Sequence, residues 1–288
     1  MYATSLTVPS MDIVYFERME NQFLGEVRDR DALKGTFHSA RGSQSEQISY
    51  MNQCLSDGLD FLMAVPIRAE AVTPVVERAR EEGVPFICVD RNVTSVEPTA
   101  YIASDNAHLG YQSVELLYEF MGDADKEEPY NIVEIQGVEG ASVTDERHRG
   151  GLKSIRENEV ELLESRTGSF SVSNGADVAG QLIDEYGDSI DGIYAHNDLM
   201  ALGACQAVSD SELNTLPITG IDGSKEWVEQ FDGGRHYGTV AQLPEKMVRT
   251  AVEYGLRAVD GNTVQDYCQI DGLPVTSNNA SDYLARYF

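Results

Sequence analysis

The stretch FICVDRN, residues 86–92, places an opposite charge pair directly after four apolar residues. The apolar residues fit a strand that is buried on both faces, which is typical of a parallel sheet covered by helices. The amphipathic segment AVTPVVERAREEG (71–83) precedes this strand and ends in glycine, as helices often do. A helix, a buried strand and an abrupt polar turn together predict a βαβ unit with Asp90 and Arg91 at the carboxyl end of its strand.

The same alternation of short apolar runs with longer amphipathic stretches continues along the chain. Strands are predicted at 5–8, 35–39, 59–65, 84–90, 100–104, 131–136, 191–196, 216–222, 237–242 and 267–271. Helices are predicted at 17–31, 45–58, 71–83, 110–122, 177–187, 198–208 and 244–261, and DADKEEPY (123–130) is predicted to be a charged loop. One set of βαβ units ends near residue 100 and a second set runs from 130 to 240. The pattern therefore predicts an α/β protein with two similar doubly wound parallel-sheet lobes.

Composition narrows the choice of partners. The chain has 288 residues, of which 42% are hydrophobic, so it can build a sizeable core. The net charge of −27 disfavours nucleic acids and anionic membranes, because both reward basic patches. No apolar run is long enough to span a membrane, and MYATSLTVPSMD at the start lacks the features of a signal peptide. We expect a protein that is either cytoplasmic or exported with its signal removed before this numbering.

Motifs for redox, metal and enzyme chemistry are missing. The four cysteines form no C-x-x-C pair and the five histidines are scattered, so free buried thiols and no metal site are expected. The chain contains no G-x-G-x-x-G after a strand, no phosphate-binding loop and no G-x-S-x-G. Asp90 and Asp222 could be viewed as a glycosidase pair, but nothing marks either as a raised-pKa acid. We predict a protein that is not an enzyme, with no catalytic residues and no cofactor.

Polar side chains follow the predicted strands of both lobes, where ligands of open parallel sheets bind. The strand-end residues are Asp90, Arg91, Arg147, Asn197, Asp222 and Gln242. Carboxylates accept from hydroxyls, guanidinium groups donate in a fork and amides do both, so the mixture suits a polyol. The aromatic side chains of Tyr15, Phe16 and Phe170 could pack against the C–H faces of a sugar.

Each of these residues has an ordinary structural alternative. Asn197 and Asp222 stand where helix N-caps belong. Asp90 and Arg91 could be a surface ion pair worth about 0–1 kcal/mol. Arg147 could belong to a solvated charged face and Gln242 to a plain strand end, and the aromatic residues could be core. The functional interpretation depends on the set as a whole, because independent caps need not supply this mixture of planar groups.

Several segments together resemble one family. VPFICVDRNVTSVEPTAYIASDNAHLG, EIQGVEGASVTDERHRGGLKSI, IYAHNDLMALGACQAV, ITGIDGS and GTVAQLPEKM are similar, in this order, to segments of ribose-type periplasmic sugar-binding proteins. These proteins are the solute receptors of ABC importers. The resemblance covers residues 36–262 and implies a periplasmic-binding-protein fold of type I.

The resemblance also implies roles for individual residues. Asp90 and Arg91 would bind a monosaccharide from the first lobe, and Arg147, Asn197, Asp222, Gln242 and Phe170 would bind it from the second lobe and hinge. The first loop, PSMDIVYFERM, departs from the family's N-P-F-F-like text, so Phe16 and Tyr15 would replace the aromatic clamp and Ser10 would lie near the ligand.

The same resemblance predicts how the chain divides. The lobes would comprise residues 1–104 with 243–271 and residues 105–242 with 272–288. They would be joined by a three-segment hinge that closes on a ribose-like pentose, a hexose or a polyol. The partner would be an ABC permease. We expect a periplasmic or extracellular monomer that binds no nucleic acid and that meets the membrane only through the permease or through a lipid anchor absent from this chain.

Two other functions share the fold. The effector domain of a lactose-repressor-type transcription factor would be cytoplasmic and would need a DNA-binding head of about 60 residues before the first strand, which this sequence does not show. The ligand-sensing extracellular domain of a membrane sensor would need a membrane anchor outside this sequence.

Overall fold

The computed structural model describes residues 1–123, 129–158, 160–211, 213, 215–231 and 236–288. The chain forms two compact units, the first of residues 1–104 with 243–270 and the second of residues 105–242 with 271–288. It passes between them after Ser104, Gln242 and Ile270. That these units fold and move as separate domains stays a prediction.

The first unit is a six-stranded sheet with helices on both faces. Its strands are β1 (Tyr2–Val8), β2 (Leu33–Ser39), β3 (Phe61–Ala64), β4 (Phe86–Val89), β5 (Ala100–Ala103) and β11 (Tyr267–Gln269). Its helices are α1 (Val14–Arg28), α2 (Gln44–Ser56), α3 (Ala69–Glu81) and α9 (Pro244–Val259). The strand order is β11-β5-β4-β3-β1-β2, and every pairing is parallel.

The second unit repeats this plan. Its strands are β6 (Asn131–Gln136), β7 (Glu161–Thr167), β8 (Gly192–Ala195), β9 (Ile218–Asp222), β10 (Tyr237–Ala241) and β12 (Leu273–Thr276). Its helices are α4 (Asn106–Asp123), α5 (Ser142–Glu157), α6 (Val172–Tyr186), α7 (Asp198–Ser209), α8 (Lys225–Val228) and α10 (Ala280–Tyr287), with a 3₁₀ turn at Gly187–Ser189. The order is β12-β10-β9-β8-β6-β7, in which β12 alone among the described strands runs antiparallel to its neighbour.

Burial on both faces explains the continuous apolar strands. Along β4, Ile87 and Val89 face a core shared with α1 and α9, while Phe86 and Cys88 face a second core under α2 and α3. Because strand side chains alternate, a strand between two cores carries no polar position. The predicted α/β fold with two doubly wound lobes is confirmed.

The predicted helix ranges leave out α5 and α8, and the other differences lie at sheet edges and element ends. The strand β7 was not predicted, because ELLESRT is polar and half-buried at the edge of the sheet. The strand β12 and the helix α10 lie beyond residue 271, where the last predicted strand ends. Helix α4 begins four residues before the predicted start at Gly110. Most of the predicted loop at 123–130 lies outside the described residues, among which no helix is long and apolar enough to cross a membrane.

Candidate functional site

The first unit places its predicted binding residues at the carboxyl edge of its sheet. Asp90 and Arg91 follow β4 directly, Ser10 follows β1, and Tyr15 and Phe16 lie in the first turn of α1. The strand order reverses at β1, so Ser10 stands at the topological switch point, where ligands of such sheets bind.

Asp90 is buried, with 6% of its surface exposed. The Tyr15 hydroxyl donates a hydrogen bond of 3.0 Å to Asp90 Oδ1. The Tyr101 hydroxyl donates to the Asp90 main-chain oxygen at 3.0 Å, and the Asp90 N–H donates to Ile102 O at 2.8 Å. Asp90 is therefore not half of an exposed surface pair, and three hydrogen bonds fix its carboxylate and its backbone.

Arg91 is only loosely joined to its neighbour. Its Nε lies 3.7 Å from Asp90 Oδ2, too far for a hydrogen bond, and is buried without a hydrogen-bond partner in the described part of the chain. The Arg91 guanidinium carbon lies 5.9 Å from the centre of the Phe16 ring, within the range of cation–π attraction. The guanidinium therefore packs against an aromatic face but has an unused donor.

The remaining first-unit residues have structural roles already. Tyr15 and Phe16 belong to the hydrophobic core cluster of the unit, so the core alternative describes at least their rings. The Ser10 hydroxyl donates to Asp12 Oδ2 at 2.5 Å and accepts from the Asp12 N–H at 3.0 Å. Ser10 thus shapes the turn after β1, and a ligand contact by it stays a prediction.

In the second unit, Arg147 is the centre of a buried network. Its Nε donates to Asn106 Oδ1 at 3.0 Å, its Nη1 to the His196 main-chain oxygen at 2.5 Å and its Nη2 to Asp222 Oδ1 at 3.3 Å. The α5 helix can carry Arg147 this close to α4 because Gly110 has no side chain to collide with the Arg147 carbonyl. With 4% of its surface exposed, Arg147 does not belong to a solvated face.

Asp222 and Gln242 complete the network. Gln242 Nε2 donates to Asp222 Oδ1 at 2.8 Å, so this oxygen accepts from Gln242 and from Arg147. Ser224, not Asp222, stands at the N-cap position of α8, so the capping alternative is wrong for Asp222. Gln242 is 2% exposed, and its Oε1 is buried with no hydrogen-bond partner among the described residues.

Asn197 does cap a helix. Its Oδ1 accepts from the Met200 N–H at 3.0 Å at the start of α7, as the capping alternative proposed. The next residue, Asp198, accepts from the Ser224 N–H and the Thr239 hydroxyl, both at 2.6 Å, and so holds the loop that carries Asp222. Burial, followed by the nearby Asp222 charge, raises the pKa of Asp198 well above its usual range.

Three predicted binding residues have unusual backbone conformations. Asp90, Phe170 and Asp222 have φ angles of 64°, 58° and 122°. Positive φ is uncommon for residues other than glycine and is concentrated at functional sites. Among the described residues only Arg41, Ser95 and Ser169 share this feature outside the predicted set and glycine. These angles are independent of the hydrogen bonds and point to the same residues.

The sequence analysis missed Asn106, Asp198 and a buried carboxylate in β6. Asn106 ends the segment YIASDN (101–106), in which polar residues directly follow a predicted strand. This polarity could have indicated Asn106 as a site residue. Glu134 is 1% exposed and lies 2.8 Å from His196 Nε2 and 2.8 Å from His148 Nδ1. No three His, Cys, Asp or Glu side chains within the described residues are placed to hold a metal ion.

Hydrogen bonding and burial set the pKa values in the cluster formed by Glu134, His148 and His196. Burial alone would raise the pKa of Glu134, but donors from His148, His196 and Ser165 outweigh it and lower the pKa. The hydrogen bond to Glu134 raises the pKa of His148, and burial lowers the pKa of His196. We therefore expect an ionised Glu134 paired with His148 and a neutral His196 that donates from Nε2.

Two doubly wound α/β units with buried polar side chains at their strand ends define a ligand-binding protein of the two-lobed α/β class. The family model for the periplasmic binding protein domain matches residues 4–263. The chain belongs to this family, and the predicted resemblance is confirmed.

Known proteins similar to the chain agree with this family. The ribose import binding protein of Bacillus subtilis (strain 168) is 28% identical over 264 residues, which cover 92% of this chain and 84% of the relative. The xylitol-binding protein of Mycolicibacterium smegmatis is 27% identical over 207 residues, with coverages of 72% and 58%.

Solved structures match the fold closely. An ABC transporter periplasmic solute binding protein from Actinobacillus succinogenes 130z with bound D-allose matches with a TM-score of 0.91 and 22% identity, covering 98% of this chain and 100% of that chain. A solute binding protein from Bacillus halodurans C-125 with bound myo-inositol matches with a TM-score of 0.90 and 22% identity, with coverages of 99% and 98%.

Proposed function

We propose that the chain is the solute receptor of an ABC importer and binds a monosaccharide or a polyol through Asp90, Arg91, Arg147, Asn197, Asp222 and Gln242. The observation that carries the proposal is the presence in each unit of a buried polar atom without a protein partner. Two such atoms lie on predicted strand-end residues, Arg91 Nε in the first unit and Gln242 Oε1 in the second, judged within the described residues. Buried polar groups are nearly always hydrogen-bonded. Because both atoms lie at strand ends, where ligands of such sheets bind, we propose the ligand as their partner.

The chemistry of the two atoms supports a hydroxyl-rich ligand. Arg91 Nε is a donor and Gln242 Oε1 is an acceptor, and a hydroxyl group satisfies either one. The neighbouring carboxylates add acceptors, while the ring of Phe170, partly buried against the second-unit core, offers a flat apolar surface. Phe16 and Tyr15 would serve the first unit in the same way, and Ser10 stands nearby in sequence.

The relatives point to the same ligand class. Those named bind ribose and xylitol, and the similar structures hold D-allose and myo-inositol. All four are small polyhydroxylated molecules. We therefore propose a ribose-like pentose, a hexose or a polyol as the ligand of this chain, without a cofactor or a metal ion.

The family also bears on location and partners. It is a family of receptors rather than of enzymes, and its members indicate a periplasmic or extracellular location. We propose an ABC permease as the partner, a lipid anchor as the attachment to the membrane and a monomer as the working state. The acidic surface supports the absence of nucleic-acid binding, since the net charge is −27.

Titration calorimetry across pentoses, hexoses and linear and cyclic polyols tests the proposal. We expect at least one compound to bind with micromolar or tighter affinity. The variants Asp90→Asn and Asp222→Asn should each weaken that binding. The absence of heat from every compound in the panel would refute the proposal, and unchanged affinity in both variants would refute the choice of residues.

Hinge closure on the ligand stays a prediction of the family resemblance. Contacts available only in a closed form would shift the population toward it when ligand binds. Small-angle X-ray scattering with and without the best ligand should show a smaller radius of gyration at saturation. An unchanged radius would argue against closure while leaving the calorimetric result intact.

A further inference from the structure

The hydroxyl of Thr144 makes no hydrogen bond to the candidate site residues described above. It lies in the first turn of α5, three residues before Arg147, so both side chains share one face of the helix. The side chain of Thr144 is buried, with 4% of the residue exposed, and its hydroxyl has no hydrogen-bond partner within the described residues. A threonine in a helix can donate to the carbonyl three or four residues earlier, and Thr144 does not.

The surroundings place this hydroxyl beside the aromatic residue of the second unit. A side chain added at Gly137, which follows β6, would collide both with the tip of the Phe170 ring and with Thr144 Oγ1. The two groups therefore lie against the same bare glycine. Since β6 and β8 flank the point where the strand order reverses, Gly137 stands at the switch point of this sheet.

We infer that Thr144 is a specificity-determining residue whose hydroxyl hydrogen-bonds one hydroxyl group of the ligand at the edge of the Phe170 ring. This inference rests on the proposed function and narrows it to sugars and polyols that present a hydroxyl at this position. A deoxy analogue at the same position leaves Thr144 Oγ1 unsatisfied and binds more weakly. Discrimination of this kind is strong because a buried polar group loses its only partner.

The test combines Thr144→Val, which removes the hydroxyl at nearly constant volume, with Thr144→Ser, which keeps it. Calorimetry with the best ligand should show an affinity loss of about tenfold for Thr144→Val and a much smaller loss for Thr144→Ser. One monodeoxy analogue of that ligand, the one lacking the hydroxyl that Thr144 contacts, should bind the wild type about tenfold more weakly than the ligand itself does. This analogue should bind the wild type and Thr144→Val with equal affinity.

Thr219→Val is the matched control. Thr219 is also fully buried with an unpartnered hydroxyl, but it lies inside β9, three residues before Asp222 and about 10 Å from the strand end. Its variant should bind every ligand as the wild type does. Thermal unfolding without ligand should show no loss of stability for Thr144→Val, since no protein hydrogen bond is removed.

The outcomes separate this inference from the proposed function. If no panel compound binds the wild type, the proposed function fails. A second outcome is that a ligand binds the wild type, and Thr144→Val binds this ligand and all its deoxy analogues with the same affinities as the wild type does. The proposed role of Thr144 is then overturned. A loss of affinity in Thr144→Val accompanied by an equal loss in Thr144→Ser, or by a marked fall in stability, would also overturn it, because the hydroxyl would then act structurally.

Discussion

The two units hold their charged residues in different ways. In the second unit Arg147 donates three hydrogen bonds to protein oxygens at 2.5–3.3 Å, and Asp222 receives one of them together with one from Gln242. In the first unit the closest approach of Arg91 to Asp90 is 3.7 Å. The second set is therefore already assembled by the protein, whereas the guanidinium of the first still has an unpartnered donor.

This difference separates two uses of a buried charge. A charge tied into a network stabilises the fold and pre-positions the ligand contact, so its loss should affect both stability and affinity. A charge with loose protein contacts contributes mainly when the ligand is present. Substitutions in the second unit should thus lower stability and affinity together, and substitutions in the first unit should lower affinity more than stability.

Asp222→Asn should have the largest effect. It removes the negative charge beside the buried Arg147, and breaking a buried ion pair is costly, so we expect the free energy of unfolding to fall by about 3 kcal/mol. The binding free energy should weaken by about 2 kcal/mol or more. Urea denaturation and calorimetry measure the two quantities. Asparagine keeps the size of the side chain and tolerates positive φ, so backbone strain does not confuse the result.

Asp90→Asn should lower affinity by a similar amount, about 2 kcal/mol, but should cost less than about 1 kcal/mol in stability. The reason is that asparagine keeps a side-chain oxygen to accept from the Tyr15 hydroxyl, and Arg91 at 3.7 Å is too far from Asp90 for a hydrogen bond. Urea denaturation measures the change in stability, and calorimetry measures the change in affinity. A stability loss as large as that of Asp222→Asn would remove the distinction between the two units.

Tyr15→Phe tests the hydrogen bond from α1 that positions the Asp90 carboxylate. Removing the hydroxyl should lower the free energy of unfolding by about 1.5 kcal/mol, since the acceptor is charged and buried. Affinity should fall by less than in Asp90→Asn because the carboxylate remains. Tyr254→Phe is the control, because the Tyr254 hydroxyl bonds Gln265 at an exposed position and its loss should cost no more than about 0.5 kcal/mol. Equal effects of the two variants would mean that Tyr15 does not position Asp90.

Much of the fold could be predicted because it depends on patterns that are local in sequence. Continuous apolar strands such as β4, bounded by glycine and polar residues, indicate a parallel sheet between helices. The strand β7 escaped prediction because an edge strand with a half-exposed face has no such signal. The position of Asn197 directly before a predicted helix gave the capping alternative, and Asn197 does cap that helix.

The site could be predicted only as a set of candidates. Residue type and position after a strand selected Asp90 and Asp222, but their φ angles of 64° and 122° follow from packing. The hydrogen bond from Tyr15 joins residues 75 positions apart, so neither periodicity nor spacing could reveal it. The unpartnered hydroxyl of Thr144 is a property of its surroundings, in which Gly137 and Phe170 offer it no partner.

His148→Gln should have the smallest effect, confined to the pH dependence of stability. The hydrogen bond to Glu134, together with the charges of Glu134 and Asp145, raises the pKa of His148 against the opposing effects of burial and Arg156. A raised pKa contributes stability that is fully present below the unfolded value near 6.5 and is lost as pH rises through the native pKa. The free energy of unfolding of the wild type should therefore fall relative to the variant above about pH 6.5.

The size of this change should stay below about 1 kcal/mol, because a third of the His148 side chain is exposed and solvent screens the pair. Denaturation midpoints of the wild type and the variant from pH 5 to 9 measure it. Identical profiles for the wild type and His148→Gln would show that the contact with His148 does not contribute to stability, and that Gln136, Ser165 and His196 are sufficient to hold Glu134.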